Sequence, residues 1–166
     1  EELEFDGKTV SGEKGRVPLA DIATSSMCGN NIPMEVSESN SSPTSPPPFM
    51  VGMVEIELDK ETGAVELLDY VAVVDCGTPV NPNLARVQTE GGLGQGIGMA
   101  LYEDIQYNAK GKLWNNSFMQ YKIPSRLDVG RLRVEFESSY EESGPFGAKS
   151  IGEIVINTPS PAIAHA

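Results

Sequence analysis

The sequence predicts an α+β domain, built on a mixed or antiparallel sheet with a glycine-rich helix and a few further helices. Three observations carry this. Period-2 alternation of apolar and polar residues recurs at Met50–Leu58 and again at Arg131–Glu137, the mark of half-buried strands. A nearly continuous apolar run closes a third strand at Val71-Ala72-Val73-Val74, as burial on both faces would require. Between these lies a helical stretch from Asn81 to Leu101, and the order of elements lacks the regular βαβ alternation of a doubly wound fold.

At the N-terminal end, Phe5–Val10 reads as a small hairpin turning at Asp6-Gly7. Val17–Ala23 reads as an edge strand entering a single helical turn. Residues 36–48 offer little to bury and four prolines, so they form a surface loop or connector, with a proline-rich docking peptide as the other reading. The organisation expected is therefore a hairpin and short-helix segment over 1–35, a Ser/Pro-rich loop over 36–48, and a main subdomain over 49–166. Within that subdomain the strands at Met50–Leu58 and Val65–Asp75 pair antiparallel about the turn Asp59–Gly63. A second small hairpin joins Ile105-Gln106-Tyr107 to Lys112-Leu113-Trp114.

Asn81-Pro82 is a good helix start, since Asn caps and Pro suits the first helical position. The face Leu84, Val87, Gly91, Gly94, Gly98 and Leu101 follows at steps of three and four. Five glycines crowd between Gly91 and Gly98. Each costs roughly 1 kcal/mol against Ala inside a helix, so something must offset them. Close packing on a neighbouring element and close approach of a ligand to the backbone are both open readings. The spacing fits neither a dinucleotide fingerprint nor a P-loop.

With 166 residues, 12 Lys and Arg against 24 Asp and Glu, and a net charge of −12, the chain has one core and repels nucleic-acid backbones and anionic lipid. Its acidic start resembles no signal peptide, and Cys28 and Cys76 lie far apart, so a reduced, cytoplasmic setting is expected. Beginning without Met and stopping within a helical pattern at Ala162–Ala166, it reads as a piece of something longer. Cys76 is expected to be a small core residue. The single histidine, His165, gives a Ser–His–Asp triad little to rest on. Glu135, Glu137, Glu141 and Glu142 read as a solvated face. Asn40 and Asn115 match a glycan acceptor pattern that a secreted adhesion domain would use. Glu153, between Gly152 and Ile154-Val155-Ile156, is expected to be partly buried, where a carboxylate is a stronger base. A structural glutamate paired with Lys149 is the other reading.

Five segments in order resemble the molybdenum hydroxylases, that is, xanthine dehydrogenase, aldehyde oxidoreductase and their relatives. They are Val54–Gly63, Val74-Asp75-Cys76-Gly77 leading to Asn81-Pro82, Gln88–Leu101, Tyr121-Lys122-Ile123-Pro124, and Gly147–Glu153. The likeness is to the C-terminal part of the molybdopterin-binding large subunit and spans about residues 49–166, with a looser match at Arg16–Ala23. It implies that Glu153 is the catalytic base and that Gln88, Thr89, Glu90, Gly91, Gly92, Ser150, Ile151 and Gly152 contact a molybdopterin, plain or as its cytosine dinucleotide. No protein side chain is then needed as a metal ligand. The reaction implied is hydroxylation, with water, of an electron-poor carbon of an N-heterocycle or an aldehyde. Electrons would leave through iron–sulfur clusters, with FAD in some relatives, in partner domains or subunits. By that likeness the chain is part of an oxidoreductase and inactive alone. The alternatives are a non-catalytic assembly module on the same scaffold and a carbon monoxide dehydrogenase-like member. Two positions depart from the family pattern: Val87 where glycine is usual, and Ile154 where proline is usual.

Overall fold

The computed structural model describes residues 2–29, 35–39 and 41–166. The chain divides into two compact units, residues 1–41 and 42–166. Asn40, one of the two glycan-acceptor positions, lies outside the described residues.

In the first unit, β1 (Glu4–Phe5), β2 (Thr9–Gly12) and β3 (Gly15–Pro18) form an antiparallel meander. Its first turn forms as the Asp6-Gly7 pair predicts: the Asp6 carboxylate accepts hydrogen bonds from the amides of Lys8 and Thr9 at 2.9 and 2.7 Å. The helix that follows, α1 (Leu19–Cys28), has ten residues rather than the single turn expected. The sequence 19–28 lacks a breaker before Gly29, so nothing stops propagation earlier.

The second unit holds β4 (Phe49–Leu58), β5 (Val65–Asp75), α2 (Pro82–Leu101), β6 (Arg131–Phe136), α3 (Ile154–Asn157) and α4 (Pro159–His165). β4 and β5 are antiparallel, and β6 joins the other edge of β5 in parallel, which makes the sheet mixed as expected. The Asp59–Gly63 turn is built by the Asp59 carboxylate, which accepts from the Glu61 amide at 2.8 Å and the Thr62 hydroxyl at 2.7 Å. The smaller hairpin is reduced to one bridge, Tyr107 to Leu113.

A bulge between Glu55 and Ile56 in the pairing of β4 with β5 reconciles two runs of alternation. Ile56 faces Leu67 and Val54 faces Tyr70, so the extra residue on β5 lets both Leu67 and Tyr70 point to the core. That core gathers Leu67, Tyr70, Ala72 and Val134 from the sheet with Leu93 and Ile97 from α2 and Ile163 from α4. The expectation that β5 is buried on both faces does not hold. Tyr70, Ala72 and Val74 are fully buried, whereas Val73 is 37% exposed, and its neighbours Val51 and Met53 are also exposed. Helices cover one face of the sheet, and the run reads as continuous because the other face is apolar too.

The buried face of α2 overlaps the face traced from the sequence only at its C-terminal end, at Gly98 and Leu101. Leu84 and Val87 are exposed; Thr89, Gly92, Leu93, Gly96 and Ile97 are buried, with Gly98 beside them. Simple counting of large apolar residues misses this stripe because small residues make half of it. A Cβ on Gly92 would overlap Val155 of α3, and one on Gly96 would lie 2.6 Å from Pro159 of α4. Packing of α2 on the two C-terminal helices therefore accounts for these glycines. Gly91 and Gly94 differ: a Cβ at either position would meet nothing within 4 Å.

Candidate functional site

The start of α2 is fixed by its cap. The Asn81 carboxamide accepts from the Leu84 amide at 3.1 Å, and Pro82 occupies the first turn. One helical turn further on, Gln88 leaves the exposed side of α2 and its Nε2 reaches the carbonyl of Gly152 at 3.5 Å. That contact brings the glycine-rich helix and the Gly152-Glu153 segment together across 64 residues of sequence. Around it lies an open cleft of about 420 Å³, lined by Cys76, Asn81, Leu84, Gln88, Lys149, Ile151 and Gly152 among others.

The far wall of the cleft is held by the end of β5. Gly77 pairs with Ala148 in a single antiparallel bridge. Around it Thr78 donates its amide to the Gly147 carbonyl and Lys149 donates its own to the Cys76 carbonyl, both at 2.7 Å. Gly77 is needed here, because its φ is +67° and a Cβ would strike the Gly147 carbonyl. Next to it Phe146 sits at φ 55°, a left-handed conformation that costs a bulky residue on the order of 1–3 kcal/mol.

The Asp75 carboxylate anchors the same corner. One oxygen accepts from the Ser139 hydroxyl at 2.6 Å and the Gly77 amide at 3.0 Å; the other receives the Lys149 ammonium at 2.6 Å. The Lys149 side chain is 10% exposed and its Nζ also stands 5.5 Å from the centre of the Phe49 ring. The hydrogen bond from Lys149, then that from Ser139, pulls the Asp75 pKa down to about 2 against burial, which pushes it up. Lys149 is thus the partner of Asp75 and not of Glu153, which removes the pairing that a structural Glu153 would need. Burial pushes the Cys76 thiol up, and this residue is core, as expected, while also touching the cleft.

A pH dependence follows. A carboxylate whose folded pKa lies below its unfolded one stabilises the fold above the unfolded value, near 3.8, and that contribution is lost as pH falls toward 2. The charged groups facing Asp75 are Lys149 and, more distantly, Glu141. Asp75→Asn should remove a contribution on the order of 2 kcal/mol at neutral pH. Unfolding midpoints measured from pH 5 to pH 2 should converge between variant and parent; a constant gap would contradict the assignment.

The site residues expected from the sequence separate into two groups. Gln88, Gly91, Ser150, Gly152 and Glu153 are exposed, and Glu90 and Ile151 are half-buried. Gln88, Ile151 and Gly152 line the cleft. Thr89, by contrast, is fully buried and spends its hydroxyl on the Ala85 carbonyl at 2.9 Å, while Gly92 faces Val155. Both belong to the helix-packing side. Glu153 precedes the short helix α3 and is exposed, so the partial burial expected from its apolar neighbours is not met; Val155 alone of the Ile154-Val155-Ile156 run is fully buried. Asn115 is 8% exposed with both ends of its carboxamide bonded, to the Gln106 amide and the Asp104 carbonyl, so it cannot carry a glycan as folded. Glu135, Glu137 and Glu142 are solvated, with Glu141 half-buried.

Residues 1–130 match the family profile of the molybdopterin cofactor-binding domain. The chain belongs to this family of the molybdenum hydroxylases. As a molybdopterin cofactor-binding domain it is 37% identical over 159 residues to a probable hypoxanthine oxidase of Escherichia coli (strain K12), covering 95% of this chain and 17% of that protein. It is 38% identical over 120 residues to the gamma subunit of the 6-hydroxypseudooxynicotine dehydrogenase complex of Paenarthrobacter nicotinovorans, covering 72% and 15%. In fold it matches the crystal structure of a Cu,Mo-containing CO dehydrogenase with a TM-score of 0.80 over 99% of this chain and 22% of the other, at 23% identity. The chain therefore spans about a sixth of the length of the curated relatives it matches. Among its described residues no helix is long and apolar enough to cross a membrane.

Two positions read as departures from the family pattern. Val87 is 65% exposed on α2 and leaves its backbone helical; Ile154 opens α3, where no proline is required to start one turn. Sequence reasoning missed Ser139 and the pairing of Asp75 with Lys149. Both Asp75 and Lys149 stand inside the family landmarks, but 74 residues apart, and nothing in their spacing announces the contact.

Proposed function

We propose that this domain supplies the catalytic base, Glu153, and one wall of the cofactor site of a molybdopterin-dependent hydroxylase. The observation that supports this reading best is the Gln88 to Gly152 contact: both residues line one cleft, and Glu153 follows Gly152 directly in the chain. A planar heterocycle with polar edges would find both apolar and polar contacts in this cleft. Its lining is largely apolar, Gln88 offers a carboxamide at its rim, and a Cβ placed on Gly152 would meet nothing within 4 Å, so the backbone there is open to approach. Gln88, Glu90, Gly91 and the Ser150–Gly152 backbone would hold the pterin, with Thr89 and Gly92 shaping the helix behind them. The cofactor, when bound, supplies the redox chemistry. The chain supplies orientation and a carboxylate at Glu153 Oε that takes a proton from the attacking water-derived oxygen.

The substrate class is an electron-poor carbon of an N-heterocycle or an aldehyde. A purine is favoured by the likeness to a probable hypoxanthine oxidase, a relative that matches 95% of this chain. The remaining length of the molybdopterin subunit, an iron–sulfur partner and in some arrangements a flavin partner would complete the enzyme, in the cytoplasm. Metal and pterin analysis of the intact complex, with a panel of purines, other N-heterocycles and aldehydes in ¹⁸O-water, tests the reading. Bound molybdenum and labelled hydroxylated product are expected. A complex without molybdenum, or one that turns over none of these classes, would overturn it.

A further inference from the structure

We propose that Lys149 and Asp75 are positioning residues: their ion pair, closed by Ser139 and Phe49 at the end of β5, sets the orientation of the Ser150–Glu153 segment and through it the Glu153 carboxylate. The inference rests on the reading of Glu153 as the base.

The main chain is tied down as far as Lys149 and then released. Gly147, Ala148 and Lys149 are each bonded or bridged to residues 76–78, whereas among the described residues no hydrogen bond holds Ser150 or Ile151. The next ties are the long Gln88 contact to Gly152 and the bond from the Ile156 amide to the Glu153 carbonyl at 3.2 Å. The direction in which the segment leaves therefore depends on how Lys149 is held. Its backbone amide fixes one point and its ammonium another, on a carboxylate whose two oxygens are both engaged. Such a carboxylate cannot turn to follow a displaced lysine. A charged pair this sheltered is poor evidence for added stability, since apolar replacements of like volume often serve as well. What it gives that an apolar pair does not is direction. Lys149 lines the cleft, yet its ammonium is committed to Asp75 and the Phe49 ring, which separates it from a cofactor ligand.

The test uses the full-length, cofactor-loaded protein. K149M and D75N should keep parental molybdenum and pterin content and lower kcat by roughly 10–100-fold, the scale of a small misplacement of a reacting group, with KM moving much less. K149R, which preserves the charge-assisted bond, should stay within about threefold of the parent. The residual turnover of K149M/E153Q should equal that of E153Q, because Lys149 acts through Glu153. If K149M does not accumulate, S139A enters the same cycle with E153Q, with a loss of about 3- to 10-fold expected in the single variant. Parental kcat in K149M or S139A beside an inactive E153Q would overturn the inference and leave the base assignment standing. Loss of cofactor in step with activity, or a full additional loss in the double variant, would also overturn it. A fully active E153Q would instead remove the reading on which it rests.

Discussion

Glu153→Gln in the full-length protein should lower turnover by about 10²–10⁴-fold, the contribution of a positioned general base, while molybdenum and pterin contents stay at the parental level. The amide keeps the size and much of the polarity of the carboxylate but cannot accept the proton. The fold gives little reason for any other loss. Glu153 is exposed, precedes a helix of four residues, and makes no side-chain bond to cap it. A structural role for its side chain would need a partner; the candidate, Lys149, is bound to Asp75. Steady-state kinetics beside metal analysis reads the result directly. An assembly module that had kept the scaffold without the chemistry would show no change in turnover on this substitution.

Gly92→Val should destabilise the domain by about 1–3 kcal/mol or more, because the added side chain must displace Val155, which is itself fully buried. Gly96→Val meets Pro159 and the Ile156 carbonyl in the same way. Gly91→Ala, with open space at its Cβ, should do the opposite and stabilise α2 by up to about 1 kcal/mol through helix propensity alone. Chemical denaturation of the three variants separates them. Equal destabilisation by Gly91→Ala and Gly92→Val would mean that packing does not explain the difference between neighbouring glycines. The contrast also decides which glycine reports on the cofactor. A bulky residue at Gly92 would lose cofactor by disturbing α3, whereas one at Gly91 probes approach to the backbone itself.

How much of this was legible in the sequence depends on what each signal measures. Strand alternation at Met50–Leu58 and Arg131–Phe136 reports a one-sided environment, and both strands formed as read. The run at Val71–Val74 reports only that two faces are apolar, not that both are covered, and within this chain one is open. The buried stripe of α2 was hidden because closeness, not hydrophobicity, places Gly92 and Gly96 inside. Of the residues that the resemblance grouped together, Gln88 and Gly152 stand in contact, 64 positions apart in the chain. Thr89 and Gly92 stand in the expected contact set because the resemblance covers the whole stretch Gln88–Gly92; a helix turns neighbours through about 100°, and these two face inward. The Asp75–Lys149 pair was invisible because long-range ion pairs leave no periodic trace.

The proposed function depends on a molybdenum-bearing pterin sitting in the cleft between the start of α2 and the Ser150–Glu153 segment, with Glu153 directed at the reacting centre. A crystal structure of the full-length protein with its cofactor tests this most directly. The pterin is expected against Gln88 and the Gly152 backbone, and the Glu153 carboxylate within hydrogen-bond reach of the metal's oxygen ligand, about 2.6–3.2 Å. A cofactor seated away from Gln88, or a Glu153 side chain turned from it, would contradict that placement.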